Sequence, residues 1–411
     1  MRDSSLSRRR FLQSAGAAAV AVPTSIKGFT AAEMRGFDAT DVMEADISKW
    51  ELDTPALCVD LDALEANLAT LQQTVVRNGI ASRPHAKTHK CPAIARLQIE
   101  NGSVGICTAK VGEAVAMYEH GIDEILMTTI NATLFKITRA MNLRRQCSGF
   151  IQATDTPGNA RDLSAAAEAL GIVADVVVDI DSGGHRTGVT PGQPALELAQ
   201  LVDQLPGLRL QGMLCYDGGS QHVKGFDTRR ARTLERLVPA TETYDLMQRS
   251  GLNTGIFSGG GTGTYNIDHE TRGLTDIQVG SYVFMDAQYL AIGGSGSDLY
   301  SDFDTSLTIL TTVLNAQYEG RVTTDAGAKA CTINQPWPIV KGETGMSYTS
   351  GSDEFGTLRY DDPSRTYKLG DKLELIVSHC DPVVNLYDQM YAVRNDRVEA
   401  VWRIAARGMS A

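Results

Sequence analysis

The sequence is short of the features that would fix its class at a glance. Its seven cysteines, at positions 58, 91, 107, 147, 215, 331 and 380, form no CxxC pair, and an odd number cannot be fully paired. Most lie in apolar, strand-like runs (ALCVDL, GICTA, GMLCYD), where a buried free thiol is the expected state, so no disulfide framework is predicted. Positive charge is also scarce: 38 Lys and Arg against 49 Asp and Glu leave a formal net charge of -11 with no basic patch to offset it. That balance argues against a nucleic-acid partner and for a small molecule. There is no P-loop, because the glycine run IFSGGGTGTY is not followed by Lys-Ser/Thr, and the run lacks the spacing of a dinucleotide fingerprint. Aromatic residues, at 6%, are core material. The Ala-rich run near the N-terminus is too short to span a bilayer, so no stable membrane insertion is expected.

What is present begins with that same segment. SLSRRRFLQSAGAAAVAVPTS sets a twin arginine (Arg8, Arg9) before Phe11-Leu12 and an Ala-rich stretch. The pattern resembles a twin-arginine export signal, assigned to residues 1–32 with cleavage between Ala21 and Ala32, and it implies a periplasmic address. This route carries folded proteins, often with a cofactor already loaded. Residues 33–47 read as linker. The rest is ordinary globular sequence, 43% hydrophobic and 21% charged, and 411 residues suffice for a barrel-sized domain plus a smaller one.

TPALCVDLDALEANLATLQQTV reads as a strand followed by a helix with Leu61, Leu64, Leu68 and Leu71 at helical spacing. Eight short apolar strands follow: IASRPHAK, VGICTA, EILMTT, GFIQAT, VADVVVDID, LQGMLCYDG, IFSGGGTG and IQVGSYV. Helix-patterned segments such as QPALELAQLVDQL separate them. Eight strand–helix units over about 250 residues match a (β/α)₈ TIM barrel, placed at 48–300, with a doubly wound open sheet as the runner-up. From 301 to 411 strands alternate with Gly, Asn-Asp and Asp-Pro turns, which predicts an all-β C-terminal domain.

In a barrel, reactive side chains belong at the C-terminal strand ends. Four of these ends are chemically loaded: RPHAKTHK with His85 and Lys87, DIDSGGHRTGV with His185 and Arg186, CYDGGSQHV with Tyr216, Gln221 and His222, and the glycine run with Ser258, Thr262 and Thr264. RPHAKTHK is either a solvated basic turn or the end of a reactive strand. The glycine run is either a flexible turn or an anion cradle of converging N–H groups. A lysine on an early strand with a phosphate cradle on a late one suggests pyridoxal phosphate. SHCDPVVNLYD adds His379 and Asp381. On a strand these would share one face and could share a divalent ion while Cys380 points away, although His-x-Asp before a proline is also a common turn.

Taken together, TPALCVDLDALEANL, RPHAKTHK, GHRTGV, YDGGSQH, GGGTGTY, GSYVFMDAQY, DAGAKA and HCDPVVNLYD resemble the fold-type III pyridoxal-phosphate enzymes. The likeness is to the metal-activated branch holding D-threonine aldolase and eukaryotic-type D-serine dehydratase, with an alanine racemase-like N-terminal domain, and it covers roughly residues 50–390. The resemblance implies that Lys87 is the Schiff-base lysine and that Lys90 is solvated or at a helix N-terminus. Arg186 would contact the cofactor's phenolic oxygen, Tyr216 its ring nitrogen, and Ser258, Gly261, Thr262 and Gly263 its phosphate. His379 and Asp381 would hold the metal, and His222 would handle the substrate hydroxyl proton. The dehydratase branch carries His-x-Cys at the metal. Asp381 in the third position is a harder ligand that favours Mn²⁺ or Mg²⁺ over Zn²⁺ or Co²⁺ and aldol cleavage over dehydration. The expected enzyme is therefore a lyase cleaving D-3-hydroxy amino acids to glycine and an aldehyde, working as a homodimer. The alternatives are a D-serine or 3-hydroxy-D-aspartate dehydratase, a racemase and, more remotely, a non-catalytic pyridoxal-phosphate carrier. Asp286 and Asp325 are expected to be structural or supporting.

Overall fold

The computed structural model describes residues 28–35, 46–363 and 365–411. Most of the segment read as export signal and most of the linker therefore lie outside the described residues. Two sheets organise the molecule. The first has eight parallel strands: β2 (Ala81–Ser82), β3 (Ile106–Thr108), β4 (Ile125–Met127), β5 (Phe150–Thr154), β6 (Ala174–Asp179), β7 (Leu208–Cys215), β8 (Ile256–Gly259) and β9 (Asp276–Ile277). Their spatial order is β2-β9-β8-β7-β6-β5-β4-β3, and a parallel bridge from His85 to Cys107 closes the ring. These are the eight strands that the apolar runs predict, and the closed ring excludes the open sheet.

Local chemistry explains the elements. In β6, ADVVVD is buried at every position, as expected of a parallel strand covered on both faces. The helix Leu61–Arg77 starts at Asp60, whose carboxylate accepts the Ala63 N–H, and it buries Leu61, Leu64, Leu68 and Leu71 as their spacing predicts. Thr133 and Thr156 cap the helices Leu134–Gln146 and Pro157–Ala169 in the same way. Among the described residues no helix is long and apolar enough to cross a membrane.

The second sheet is formed by β10 (Leu307–Tyr318), β11 (Arg321–Thr324), β12 (Ile339–Val340), β13 (Met346–Gly351), β14 (Gly356–Tyr360), β15 (Lys372–Ile376), β16 (Gln389–Arg394) and β17 (Arg397–Arg403), together with one strand from far upstream. That strand is β1 (Ala56–Asp60), the ALCVD run. The boundary at residue 48 assigned it to the barrel, but it lies between β10, to which it is antiparallel, and β16, to which it is parallel. Its continuous apolar character suits burial in either sheet, so sequence pattern does not distinguish the two. The β domain also contains two short helices, Ala328–Cys331 and Cys380–Val384.

The described part of the segment on either side of residue 32 is packed. Thr30 caps a short helix, Ala31–Met34, Phe29 bridges to Leu52, and Met34 is 0% exposed in a cluster with Leu52, Cys58 and Tyr391. Residues 28–35 thus pack against the β domain.

Candidate active site

The C-terminal ends of the barrel strands open into a cavity of 680 Å³ whose wall includes Lys87, Arg186, Tyr216, Gly261 and Thr262. The octapeptide after β2 divides its charges between structure and cavity. Arg83 is buried and donates to Asp276 at 3.2 Å, and Lys90 is buried against Glu113 at 2.6 Å. Lys90 is therefore not solvated; it directly precedes Cys91, the N-cap of the helix Pro92–Glu100. His89 is fully buried, and burial holds its pKa down at about 4. His85 lies against Thr128 (3.2 Å) and is likewise driven well below the usual histidine range by burial, with the charge on Lys87 adding to the effect.

Lys87 alone of these cations turns its amine to the cavity, where it donates to the carboxylate of Asp381 from the β domain. Burial opposes charge on both groups, but their mutual attraction prevails. The amine is held above the ordinary lysine value and the carboxyl well below the ordinary aspartate value. Arg186 leaves the loop after β6 with its guanidinium 5.0 Å from the centre of the Tyr216 ring.

The glycine loop after β8 is braced from behind. The Gly261 N–H points to Thr264 Oγ1 (3.2 Å) and Asp268 Oδ2 (3.3 Å), and the Gly263 N–H donates to Gln221 Oε1 at 3.0 Å. A Cβ at Gly263 would stand 2.0 Å from the Gln221 carbonyl oxygen, so that position admits only glycine. Ser258 and Gly263 do not line the cavity, unlike Gly261 and Thr262. The Ser258 hydroxyl is taken up by Asp276 at 2.5 Å and accepts from Gln278 at 3.1 Å. Gly280 and Ser281, in the loop after β9, line the cavity beside Thr262, and among the described residues the N–H groups of Thr262, Gly280 and Ser281 have no acceptor. In the sequence the GSYV segment at this strand end carries no charged side chain to single it out.

The HCD segment is not a strand. His379 is extended and acts as N-cap to the helix Cys380–Val384, so simple alternation fails and Cys380 does not point away. Donor atoms of Asp286, His379 and Cys380 lie within 4.8 Å of one another. Asp286 Oδ2 accepts from His379 Nδ1 (3.2 Å) and from the Cys380 N–H (3.0 Å), leaving the imidazole's Nε2 free to bind. Burial pushes the Cys380 thiol well above its ordinary value, with Asp286 and Asp381 adding to the effect, so it stays protonated. Asp381 stands just outside this trio, its second oxygen 3.5 Å from the Cys380 sulfur. The donor set of one imidazole with carboxylates suits a divalent ion.

His222 packs its ring on Tyr289, centroids 4.5 Å apart. Desolvation lowers its pKa and prevails over the upward pull of Asp286 and Asp381, with His379 and Lys87 acting in the same downward sense, so His222 is neutral at ordinary pH. Asp179, at the end of β6, also lines the cavity and was not marked by the sequence. Burial raises its pKa to about 7 against the pull of Thr187 and Arg186. Asp325 is structural, accepting from the hydroxyls of Thr54 and Thr311.

An amine at a strand end, a guanidinium and phenol beside it, and the free N–H groups of Thr262, Gly280 and Ser281 complement an aldehyde, a phenolic ring and a phosphate. Pyridoxal phosphate fits this set, and the fold and site together define a barrel-type pyridoxal-phosphate enzyme. The comparisons agree. The family model for the alanine racemase N-terminal domain matches residues 59–288, and that for the serine dehydratase domain matches 306–393. The 3-hydroxy-D-aspartate aldolase of Paracoccus denitrificans (strain Pd 1222) is 35% identical over 91% of this chain and 96% of its own. The D-threonine aldolase of an Arthrobacter species is 36% identical over 87% of this chain and 94% of its own. The crystal structure of D-threonine aldolase from Filomicrobium marinum superposes with a TM-score of 0.86 at 35% identity, covering 91% of this chain and all of that one. The chain belongs to the D-threonine aldolase and D-serine dehydratase family of fold-type III pyridoxal-phosphate lyases.

Proposed function

We propose that this chain is a pyridoxal-phosphate- and divalent-metal-dependent aldolase that cleaves D-3-hydroxy amino acids to glycine and an aldehyde. The observation that carries this reading is the pairing of Lys87 with Asp381, which joins the barrel's anchoring amine to the acid–base cluster of the β domain in one place. When bound, pyridoxal phosphate supplies an electron sink for the substrate's α-carbon and the divalent ion supplies a Lewis acid for its hydroxyl. Lys87 would hold the cofactor's aldehyde carbon, Arg186 its ring oxygen, and Tyr216 the ring nitrogen. Gly261 and Thr262, with Gly280 and Ser281, would hold its phosphate, and Ser258 and Gly263 would shape the loop from behind. His379 through Nε2 and Asp381 would hold the ion, with Asp286 fixing the imidazole. With Asp381 as the carboxylate partner of His379, the proposed donors are oxygen and nitrogen, which favours Mn²⁺ or Mg²⁺ over Zn²⁺ or Co²⁺. Neutral His222 accepts the substrate's hydroxyl proton, a contribution of about 10²–10⁴-fold for a placed general base.

The match of the β domain to a serine dehydratase domain favours a second reading, elimination of water from the same substrates followed by hydrolysis of the resulting imine to an oxo acid and ammonia. Incubation with D-threonine separates the two: acetaldehyde and glycine are expected, and ammonia with 2-oxobutanoate would transfer the assignment to the dehydratase. Dialysis against EDTA is expected to abolish turnover, with Mn²⁺ restoring it. We further propose a homodimer, by analogy with this fold type and to be tested by sedimentation. Export to the periplasm is also proposed, on the strength of the twin arginine. The packing of Phe29 and Met34 supports a cleavage point before residue 28, which N-terminal sequencing of the exported protein checks.

A further inference from the structure

Behind the glycine loop lies a cation that the proposed reaction does not use. Arg229, in the first turn of the helix Phe226–Arg249, is 0% exposed. Its guanidinium donates to four backbone carbonyls: Gly263 (2.7 Å), Val223 (2.8 Å), Gly293 (2.9 Å) and Ile292 (3.2 Å). The faces of Tyr300 and Phe226 flank it at 5.4 and 5.9 Å. Among the described residues no carboxylate lies within 4.0 Å of it, whereas the other buried arginine of the barrel, Arg83, pairs with Asp276. Carbonyl dipoles satisfy the donors of a guanidinium but do not cancel its charge, and a buried unpaired charge is costly unless an anion answers it.

The anion that this fold is built to receive is close by. Gly263 is the residue after Thr262, whose N–H is free and faces the cavity. The Thr262 carbonyl accepts the hydroxyl of Tyr300 at 2.5 Å, and that same Tyr300 ring packs on Arg229. The other ionisable groups near the loop are phenols and acids, among them Asp302, which accepts from the Tyr265 hydroxyl at 3.0 Å and attracts Arg229 only from beyond ion-pair distance. Asp268 accepts from Thr264 Oγ1 (2.7 Å) and Gly261 N–H (3.3 Å) and is 0% exposed; Asp217 is 4% exposed, holding Gly219 N–H at 3.0 Å. On their own these carboxylates would repel a phosphate.

Accepting pyridoxal phosphate as the cofactor, we propose that Arg229 is a positioning residue for its phosphate. Through the Gly263 carbonyl it fixes the loop that presents the Thr262 N–H, and through its charge it selects the dianionic form of the phosphate over a neutral group at that place. Its role is toward binding, and it touches no reacting atom.

The test compares the affinity of the metal-free protein for pyridoxal phosphate with that for pyridoxal, followed by the yellow absorbance of the Lys87 adduct. Arg229→Gln is expected to weaken pyridoxal phosphate by about tenfold or more relative to pyridoxal, the loss of the buried positive charge behind the loop. Arg229→Lys, which keeps the charge but cannot reach four carbonyls, is expected to keep the affinity ratio while lowering the melting temperature. Equal losses for both ligands in Arg229→Gln would make the residue a structural tie and overturn the proposal. If neither variant folds, ³¹P NMR of the wild-type holoprotein decides. A phosphate that stays dianionic well below its solution pKa of about 6 is expected, and one that titrates as in water overturns the idea. Failure of the cofactor assignment itself would look different: no yellow adduct would form in the wild type with either ligand.

Discussion

Lys87 keeps its proton because Asp381 sits against it, since burial alone would drive the amine the other way. Exchanging Asp381→Asn removes that counter-charge, so the amine pKa is expected to fall below the ordinary lysine value. The yellow adduct would then form across a wider pH range while turnover drops by about 100-fold or more, as when a group used in the rate-limiting chemistry is removed. Lys87→Ala is expected to give no adduct that borohydride can trap. His222 gives a pH signature. As a base it works unprotonated and its pKa lies below the ordinary histidine value, so kcat/KM should rise as pH climbs through a midpoint under about 6.5. His222→Asn should erase that limb and lower kcat by about 10²–10⁴-fold. Among single residues, the strand-end motifs point to side chains that line the cavity, as with Lys87, Arg186, Tyr216 and Thr262. Asp286, expected to be supporting, does brace His379, and Gln221 braces the glycine loop, but Arg229 has no mark in the sequence, because support of that kind depends on contacts across many residues and leaves no spacing signature.

Two elements show how closely backbone geometry is matched to sequence. Gly212 in β7 has φ +139° where the β6–β7 register shifts, and a Cβ there would lie 2.0 Å from the Ile256 carbonyl oxygen of β8. Gly212→Ala is expected to destabilise the barrel by about 3 kcal/mol or more, in the upper range for point substitutions, read as a lower urea midpoint. Gly263→Ala meets backbone just as directly, but in the loop that presents the cavity's N–H groups, so it should also weaken cofactor binding. The eight barrel strands were legible because each is a short apolar run between helix patterns. The HCD segment was misread as strand because three residues hold no period, and only the cap at His379 and the turn of Cys380–Val384 reveal that helix.

For the molecule as a whole, acid is the informative stress. His89 has a folded pKa of about 4, below the unfolded value of about 6.5. Its contribution is thus fully present above pH 6.5 and is lost as pH falls to about 4, a difference of about 3 kcal/mol. Asp179 and Asp268, raised to about 7, act in the opposite sense: they favour the fold at acid pH, and that gain fades as pH rises from about 4 to 7. Urea titrations of wild type and His89→Asn at pH 8 and pH 4.5 should isolate the histidine: the wild type's advantage over the variant shrinks toward acid. Domain organisation was the least legible level, because the partners of β1, residues 307–310 and 391–393, are distant in the sequence. A fragment ending at residue 300 strips β1 of both neighbours and is expected to be insoluble, measured as the soluble fraction after expression.

That same placement of β1 sets a timetable for the nascent chain. Strands separated so widely along the sequence close late, since a long loop must be drawn in before their contacts form. On the ribosome the ALCVD segment emerges first, yet it waits for residues 307–310 and then 391–393 before it is hydrogen-bonded on both sides. The residues meeting Lys87 from the far sheet arrive in that same final stretch. Assembly of the reaction centre is therefore a post-translational event, completed only when almost the whole polypeptide has been released.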